Sequence, residues 1–578
     1  MARSSYDKYP THLVRGGEGM AVSGWDMVRR RLLEAVENRE RCVVVIDCYP
    51  GTDLAELERE LAPLHPTLCI CSDDCAISPE ELDAMLAEPL TKDRVFGHMT
   101  TGVLADCFRP EALAQARERA EAVSKGLVLV YGVGAALVTE GDILVCADLA
   151  RWEIQLRYRR GMPNWHSGNG DAPILSKYKR GFFAEWRWAD RHKHELFSRL
   201  DFVLDTNRPG EPVLAQAEGV RMGLAQLSRE PFRTVPYFDP GVWGGQWMKR
   251  VCGLDPNAEN YAWSFDGVPE ENSILLSFDG TVMELPAMDL VLEQPRALLG
   301  ERVYERFGAE FPIRFDFLDT MGGQNLSLQV HPLKEYIREQ FGMGYTQDES
   351  YYLLDAGEDA CVYLGVKTGV DREAMMADLR RAERGEAPFP AEQYINRFPV
   401  KKHDHVLIPA GTIHCSGKDA MVLEISATPY IFTFKLWDWG RVGLDGLPRP
   451  IHLDHGEKNI QWDRDTAWVA ANLLHREDTL FEAEGCQIEH TGLHETEFIE
   501  TTRFTLTKPV CVQTGGSVNM LNLVEGESAV VESPSCAFAP FMVHYAETFI
   551  LPASVGEYIL KPTKRGETVK LIRAYVRN

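Results

Sequence analysis

No stretch of this 578-residue chain is apolar for long enough to cross a membrane. Its opening, MARSSYDKYPTHLVRGG, lacks the apolar core of a secretion signal, so a cytoplasmic location is the expectation. Basic residues are scarce. There are 61 Lys and Arg against 86 Asp and Glu, for a formal net charge of −25. That balance argues against nucleic acid or an anionic membrane as partner, and any phosphate pocket must be basic locally. The 13 cysteines are odd in number and irregular in spacing, which does not read as a disulfide framework. Cys69, Cys71 and Cys75 make a C-x-C-x₃-C string with no fourth ligand nearby, and read as reduced thiols. Low-complexity tracts and short-period repeats are missing as well.

What is there fits soluble globular domains: 45% of residues are apolar and 10% aromatic. The length exceeds what one core supports, and two to four domains are expected. Three segments stand out. Residues 1–227 alternate strand and helix patterns. RCVVVIDCYP (41–50) is a buried parallel strand ending in Pro-Gly, followed by a helical pattern over 53–61 and a second apolar run at 67–71. PEALAQARERAEAVSK (110–125) is a helix with proline at its start, and 127–134 and 142–148 are further strands.

This order resembles the small nucleoside or sugar kinases of the P-loop class, with the Arg-rich LRYRRGM (156–162) where such enzymes carry a lid. The phosphate loop itself is gone. Asp47-Cys48-Tyr49-Pro50-Gly51-Thr52-Asp53 has no Gly-Lys-Ser/Thr, its proline removes an amide donor, and its aspartates repel a triphosphate. A degenerate, catalytically silent kinase-like domain is the expectation.

Residues 228–455 show short alternating runs punctuated by Gly, Pro and Asp, the pattern of a β jelly roll; 372–386 is a helical insertion between its strands. Residues 456–578 read as a second, metal-free jelly roll. Within the central segment, LSLQVHP (326–332) places Gln329 and His331 on one face of a strand. IPAGTIH (408–414) presents His414 from a tight turn, and Glu349 begins an intervening strand. An amide oxygen, two imidazoles and a carboxylate from three strands are a first shell for a divalent metal. His403 and His405 flank Asp404 in a possible H-x-H pair and read instead as surface-strand residues.

Several strings recur together in order: VWGG (242–245), FPIRFDFLD (311–319), LSLQVHP, ESYYLLDAG (349–357), IPAGTIH, VLEIS (422–426) and FKLWDWGR (434–441). Together they resemble the type I mannose-6-phosphate isomerases of the cupin superfamily. The resemblance implies one zinc ion per chain, held by Gln329, His331, Glu349 and His414. It also implies interconversion of mannose 6-phosphate and fructose 6-phosphate through an enediol or enediolate. Glu424, Lys435 and Arg441 are the candidate catalytic residues, and lysine at 435 stands where the family commonly has arginine. Ser327, Arg314 and Lys402 are the candidate substrate-binding residues. Asp316 replaces the family's phosphate-holding lysine, and Arg314 is expected to pair with it and supply charge. That substitution and the silent N-terminal domain leave a second reading open, a sugar-phosphate sensor without turnover. A third, an iron cupin oxygenase, is disfavoured by the Gln ligand.

Overall fold

The computed structural model describes residues 4–37, 39–427, 430, 432–443, 446, 449–492 and 494–577. It resolves into two compact units. One comprises Thr11–Leu227 with Ser273–Gln294, the other Met1–Pro10, Ser228–Asn272 and Pro295–Asn578. The expected division at 1–227, 228–455 and 456–578 differs from these units at three places, one being that 295–578 is undivided at residue 455. The segment Ser273–Gln294, placed by sequence in the central domain, groups with the N-terminal one, and the first ten residues group with the C-terminal unit.

In the N-terminal unit, five parallel strands lie in the order Leu68–Cys71, Gly126–Gly132, Arg41–Cys48, Ile143–Asp148, Phe202–Asp205. Their apolar runs are continuous because the strands are covered on both faces. Val213–Gln216 and Ala21–Ser23 extend the sheet antiparallel. Thr11–Leu13 pairs with the hairpin Ser273–Phe278 and Thr281–Pro286. That hairpin is followed by Ala287–Glu293, whose Asp289 faces Lys193 at 2.5 Å; Lys193 also holds Asp148 at 2.7 Å. All three are buried. A sequence window sees no such long-range ion contact.

The turn after Arg41–Cys48 is closed from within. Asp53 caps the next helix, Leu54–Leu61, by accepting from Glu56 N, and Arg157 donates to Gly51 O at 2.9 Å. Asp47 pairs with His192 Nε2 at 3.0 Å and accepts from Ala136 N.

The second unit holds four of the sheets. A six-stranded one runs His405–Ile408, Glu349–Ala356, Ala420–Ser426, Arg314–Asp319, Trp263–Phe265, Tyr237–Asp239. A five-stranded one runs Ile395–Pro399, Cys361–Val366, His414–Ser416, Leu328–Val330, Phe434–Trp437. The insertion helix, Arg372–Glu383, starts at Asp371, whose carboxylate accepts from Ala374 N. Two further antiparallel sheets of six and four strands occupy residues 478–576 around Phe504, Leu521, Val531, Phe549, Leu560 and Leu571. Among the described residues no helix is long and apolar enough to cross a membrane.

Candidate metal centre

Gln329 and His414 are register neighbours in the five-stranded sheet, and Glu349 opens a strand of the six-stranded one. Alternation carries Gln329 and His331 to one side, so three elements deliver four side chains to one point. His331 Nε2 lies 2.9 Å from Glu349 Oε2, and His414 Nε2 lies 2.8 Å from Glu349 Oε1. The Gln329 amide nitrogen, Nε2, is 3.2 Å from His414 Nε2. His331, Glu349 and His414 are fully buried and Gln329 nearly so.

The ring orientations show what this cluster suits. His331 Nδ1 is 2.8 Å from Phe432 O, and His414 Nδ1 is 2.9 Å from Thr412 O. Each carbonyl takes an Nδ1 proton, which leaves an Nε2 lone pair aimed at a carboxylate oxygen. Lone pairs facing an anion in a buried site require a cation or added protons among them. Histidine nitrogens, a carboxylate and an amide oxygen are suitable donors for a divalent ion, so the residues fit a metal. Among the described residues this His-Glu-His group has ligand atoms within 4.8 Å of one another.

The electrostatics agree. Burial penalises the Glu349 carboxylate, yet His331 and His414 override it and hold its pKa well below the usual range. Burial likewise opposes a charged His331, and Glu349 reverses the sign and raises it.

The next row of the six-stranded sheet pairs Asp316, Glu424 and Tyr351 across three strands. Glu424 is pushed well above the carboxylate range by burial and then by Glu349 and Asp316, with Arg314 opposing. Burial raises Asp316 to about 6 against the pull of Arg314, whose Nε sits 2.6 Å away. Lys435 lies directly across from Gln329 in register.

Ser327, just before the strand that carries Gln329, donates to Asp438 Oδ1 at 2.8 Å. Arg441 and Arg449 both pair with Asp438, and Arg441 also donates to Asn325 O. Two guanidiniums around one carboxylate leave that end of the sheet locally cationic.

Lys402 is elsewhere. It pairs with Glu525 and lies over the Tyr545 ring. Its neighbour His403 bonds Tyr352, which points to the opposite face from Tyr351 and Glu349. The structure does not bring Lys402 to the ligands. His405 is buried rather than on the surface, with Nε2 2.8 Å from Ser350 Oγ. Two contributors were missed from sequence. Gln347 bridges Glu349 Oε2 (3.0 Å) and Phe432 N (2.9 Å), and its i−2 spacing to Glu349 was the available signal. Arg449 had none, because only the tertiary fold brings it to Ser327.

A family model described as a domain of unknown function (DUF8485) matches residues 24–229. Mannose-6-phosphate isomerase ManA of Bacillus subtilis is 25% identical over 350 residues, 59% of this chain and 96% of that protein. The chain has relatives named isomerases. The mannose-6-phosphate isomerase of Streptococcus mutans is 27% identical over 216 residues, 37% of this chain and 62% of that protein. A crystal structure of the Bacillus subtilis mannose 6-phosphate isomerase aligns with 60% of this chain and 99% of that one, at 19% identity and a TM-score of 0.47.

Proposed function

We propose that the chain is a zinc-dependent aldose–ketose isomerase that interconverts mannose 6-phosphate and fructose 6-phosphate, with a catalytically silent, kinase-like N-terminal domain. The observation that carries this reading is the convergence of His331, Glu349 and His414, with Gln329 beside them, in a chain related to named isomerases. Zinc bound there supplies a Lewis acid that polarises substrate oxygens and favours proton removal from the adjoining carbon.

The chain's own residues supply the rest. The buried barrel interior around Tyr351 and Glu424 excludes water. Glu424, next to the ligand row, takes the proton from one of substrate carbons 1 and 2 as a carboxylate and returns it to the other, and its raised pKa makes it a stronger base for that transfer. Lys435, across from Gln329, orients the sugar oxygens. Ser327 with Arg441 and Arg449 takes the phosphate, because theirs is the locally cationic end of the sheet. The charge of Arg314 is committed to Asp316, so the phosphate goes to the arginine pair instead.

For the N-terminal domain, the silent reading is supported by the Asp53 cap, the Asp47–His192 pair and Arg157 closing on Gly51 O. Amides of the turn that a phosphate would need are also already spent, Tyr49 N on Ala147 O and Thr52 N on Tyr49 O.

One observation favours the alternative, a sugar-phosphate binding protein without turnover. Asp316, Glu424 and Glu271 crowd one guanidinium, Arg314, in place of a phosphate-holding lysine. A coupled assay with zinc-loaded protein separates the two. Turnover of mannose 6-phosphate, lost in Glu349→Ala and His414→Ala, supports the isomerase; saturable binding without product supports the sensor.

A further inference from the structure

We infer that Arg464, far from the ligands in sequence, is a positioning residue that aims His414 into the metal centre. This inference rests on the metal reading of the His-Glu-His cluster, but not on the isomerase reaction.

His414 follows the turn Pro409-Ala410-Gly411-Thr412. Nη1 of Arg464 donates to Pro409 O and Ala410 O, both at 2.7 Å, and to Thr412 Oγ. Thr412 is the pivot: its hydroxyl donates to Pro409 O at 2.7 Å, and its carbonyl takes His414 Nδ1. A guanidinium that fixes the Thr412 hydroxyl thereby fixes the carbonyl that sets the tautomer and rotation of the His414 ring. The same turn is joined to the other two ligand segments. Ala410 N donates to Asp348 Oδ1 at 2.7 Å, one residue before Glu349, and Gly411 N donates to His331 O at 3.0 Å.

The segment that carries Arg464 is built against this turn. Gln461 N donates to Gly411 O at 2.9 Å, and Asn459 Oδ1 accepts from Leu333 N at 2.8 Å, two residues past His331. Gly411 sits at φ 88°, where a Cβ would come within 2.7 Å of Gln461 Cγ and 2.9 Å of Asn459 O. No side chain fits there, because the Gln461 and Leu333 side chains and the Asn459 carbonyl already fill the space. Asp348, Asp463 and Glu497 are the acidic groups whose fields reach Arg464. Pro409 O, Ala410 O and Thr412 Oγ share the two protons of Nη1, held in direction by the planar guanidinium, a fixed fork that a freely rotating lysine ammonium does not reproduce.

The test uses the full-length chain with Arg464→Met, Arg464→Lys and Thr412→Val. Zinc affinity is read by chelator competition, and the Co²⁺-substituted proteins are read by their visible absorption, which reports ligand geometry. Arg464→Met should weaken zinc roughly 10- to 100-fold and alter the cobalt spectrum, while far-ultraviolet circular dichroism stays native. Arg464→Lys should recover part of the affinity. Thr412→Val should shift both readouts in the same direction, and it decides the matter if Arg464→Met fails to fold. Affinity within threefold of wild type and an unchanged cobalt spectrum in a folded Arg464→Met, or in Thr412→Val, would overturn the inference. So would a wild-type protein that takes up neither metal. A wild type that binds zinc tightly but does not convert mannose 6-phosphate would defeat the isomerase reading and leave this one standing.

Discussion

Arg314 Nε lies 2.6 Å from Asp316 Oδ2, two residues apart on one strand, and neither side chain is more than 4% exposed. The guanidinium also packs over the Phe265 ring at 4.8 Å. Breaking such a pair from one side strands a buried charge. Arg314→Ala should therefore lower stability by about 3–5 kcal/mol. Replacing both partners, Arg314→Met with Asp316→Leu, should cost less than Arg314→Ala alone. Urea denaturation of the full chain measures this cycle, and strictly additive losses would refute it.

A site whose lone pairs face a carboxylate should be stabilised by the ion it suits. Zinc at about 100 times its dissociation constant should raise the unfolding free energy by about 2.7 kcal/mol. Glu349→Ala should abolish that increment. Melting curves with zinc and with a chelator provide the check; equal midpoints for the wild type would count against a metal site.

Gln347 links Glu349 Oε2 to the Phe432 peptide, whose carbonyl takes His331 Nδ1. Gln347→Leu removes both links and should weaken zinc binding roughly 10- to 100-fold without unfolding the protein. Unaltered affinity by chelator competition would show that the bridge does not orient the ligands.

In the N-terminal unit, burial alone would depress the His192 imidazole, but Asp47 at 3.0 Å reverses the sign and raises its pKa. A group raised on folding contributes stability that is fully present below its unfolded pKa of about 6.5. That contribution fades as pH rises through the higher folded value. His192→Asn should flatten the loss of stability between pH 6 and pH 9, as followed by denaturant midpoints. Parallel wild-type and mutant profiles would exclude the pair as the source.

A fragment of residues 228–578 cuts at one unit boundary and violates the other three. It keeps the hairpin whose Ile274, Leu276 and Leu285 are buried in the N-terminal unit, and it exposes them. It also loses Tyr6, which donates to Asp266 Oδ2 at 2.7 Å, and Asp7, which caps Glu547 and Arg233. Expression should yield aggregated protein, whereas the intact chain stays dispersed. Light scattering compares them, and a monodisperse fragment would contradict the division.

Much of the local structure was legible because it depends on neighbours in the chain. The apolar runs at 41–50 and 142–148 became parallel strands, since continuous hydrophobicity suits only a strand buried on both faces. The helix at 110–125 begins at its proline as expected and ends at Glu121. Gln329, His331, Glu349 and His414 could be named from alternation and a turn, because period two dictates which side chains share a face.

Other features required the folded chain. The sequence order of Lys402 suggested the rim of the site, but strand alternation turns its neighbourhood outward toward Glu525. Nothing local marks Ser273–Gln294 as part of the first unit; Lys193 and Asp289 meet across 96 residues of chain. The residue types and spacing thus determined which groups can ligate. Their convergence, the charge balance around Arg314, and the hold of Arg464 on the His414 turn were decided by tertiary packing. The reason is physical: buried charges and carbonyls take whichever partners the fold brings within about 3 Å, and sequence separation does not limit that choice.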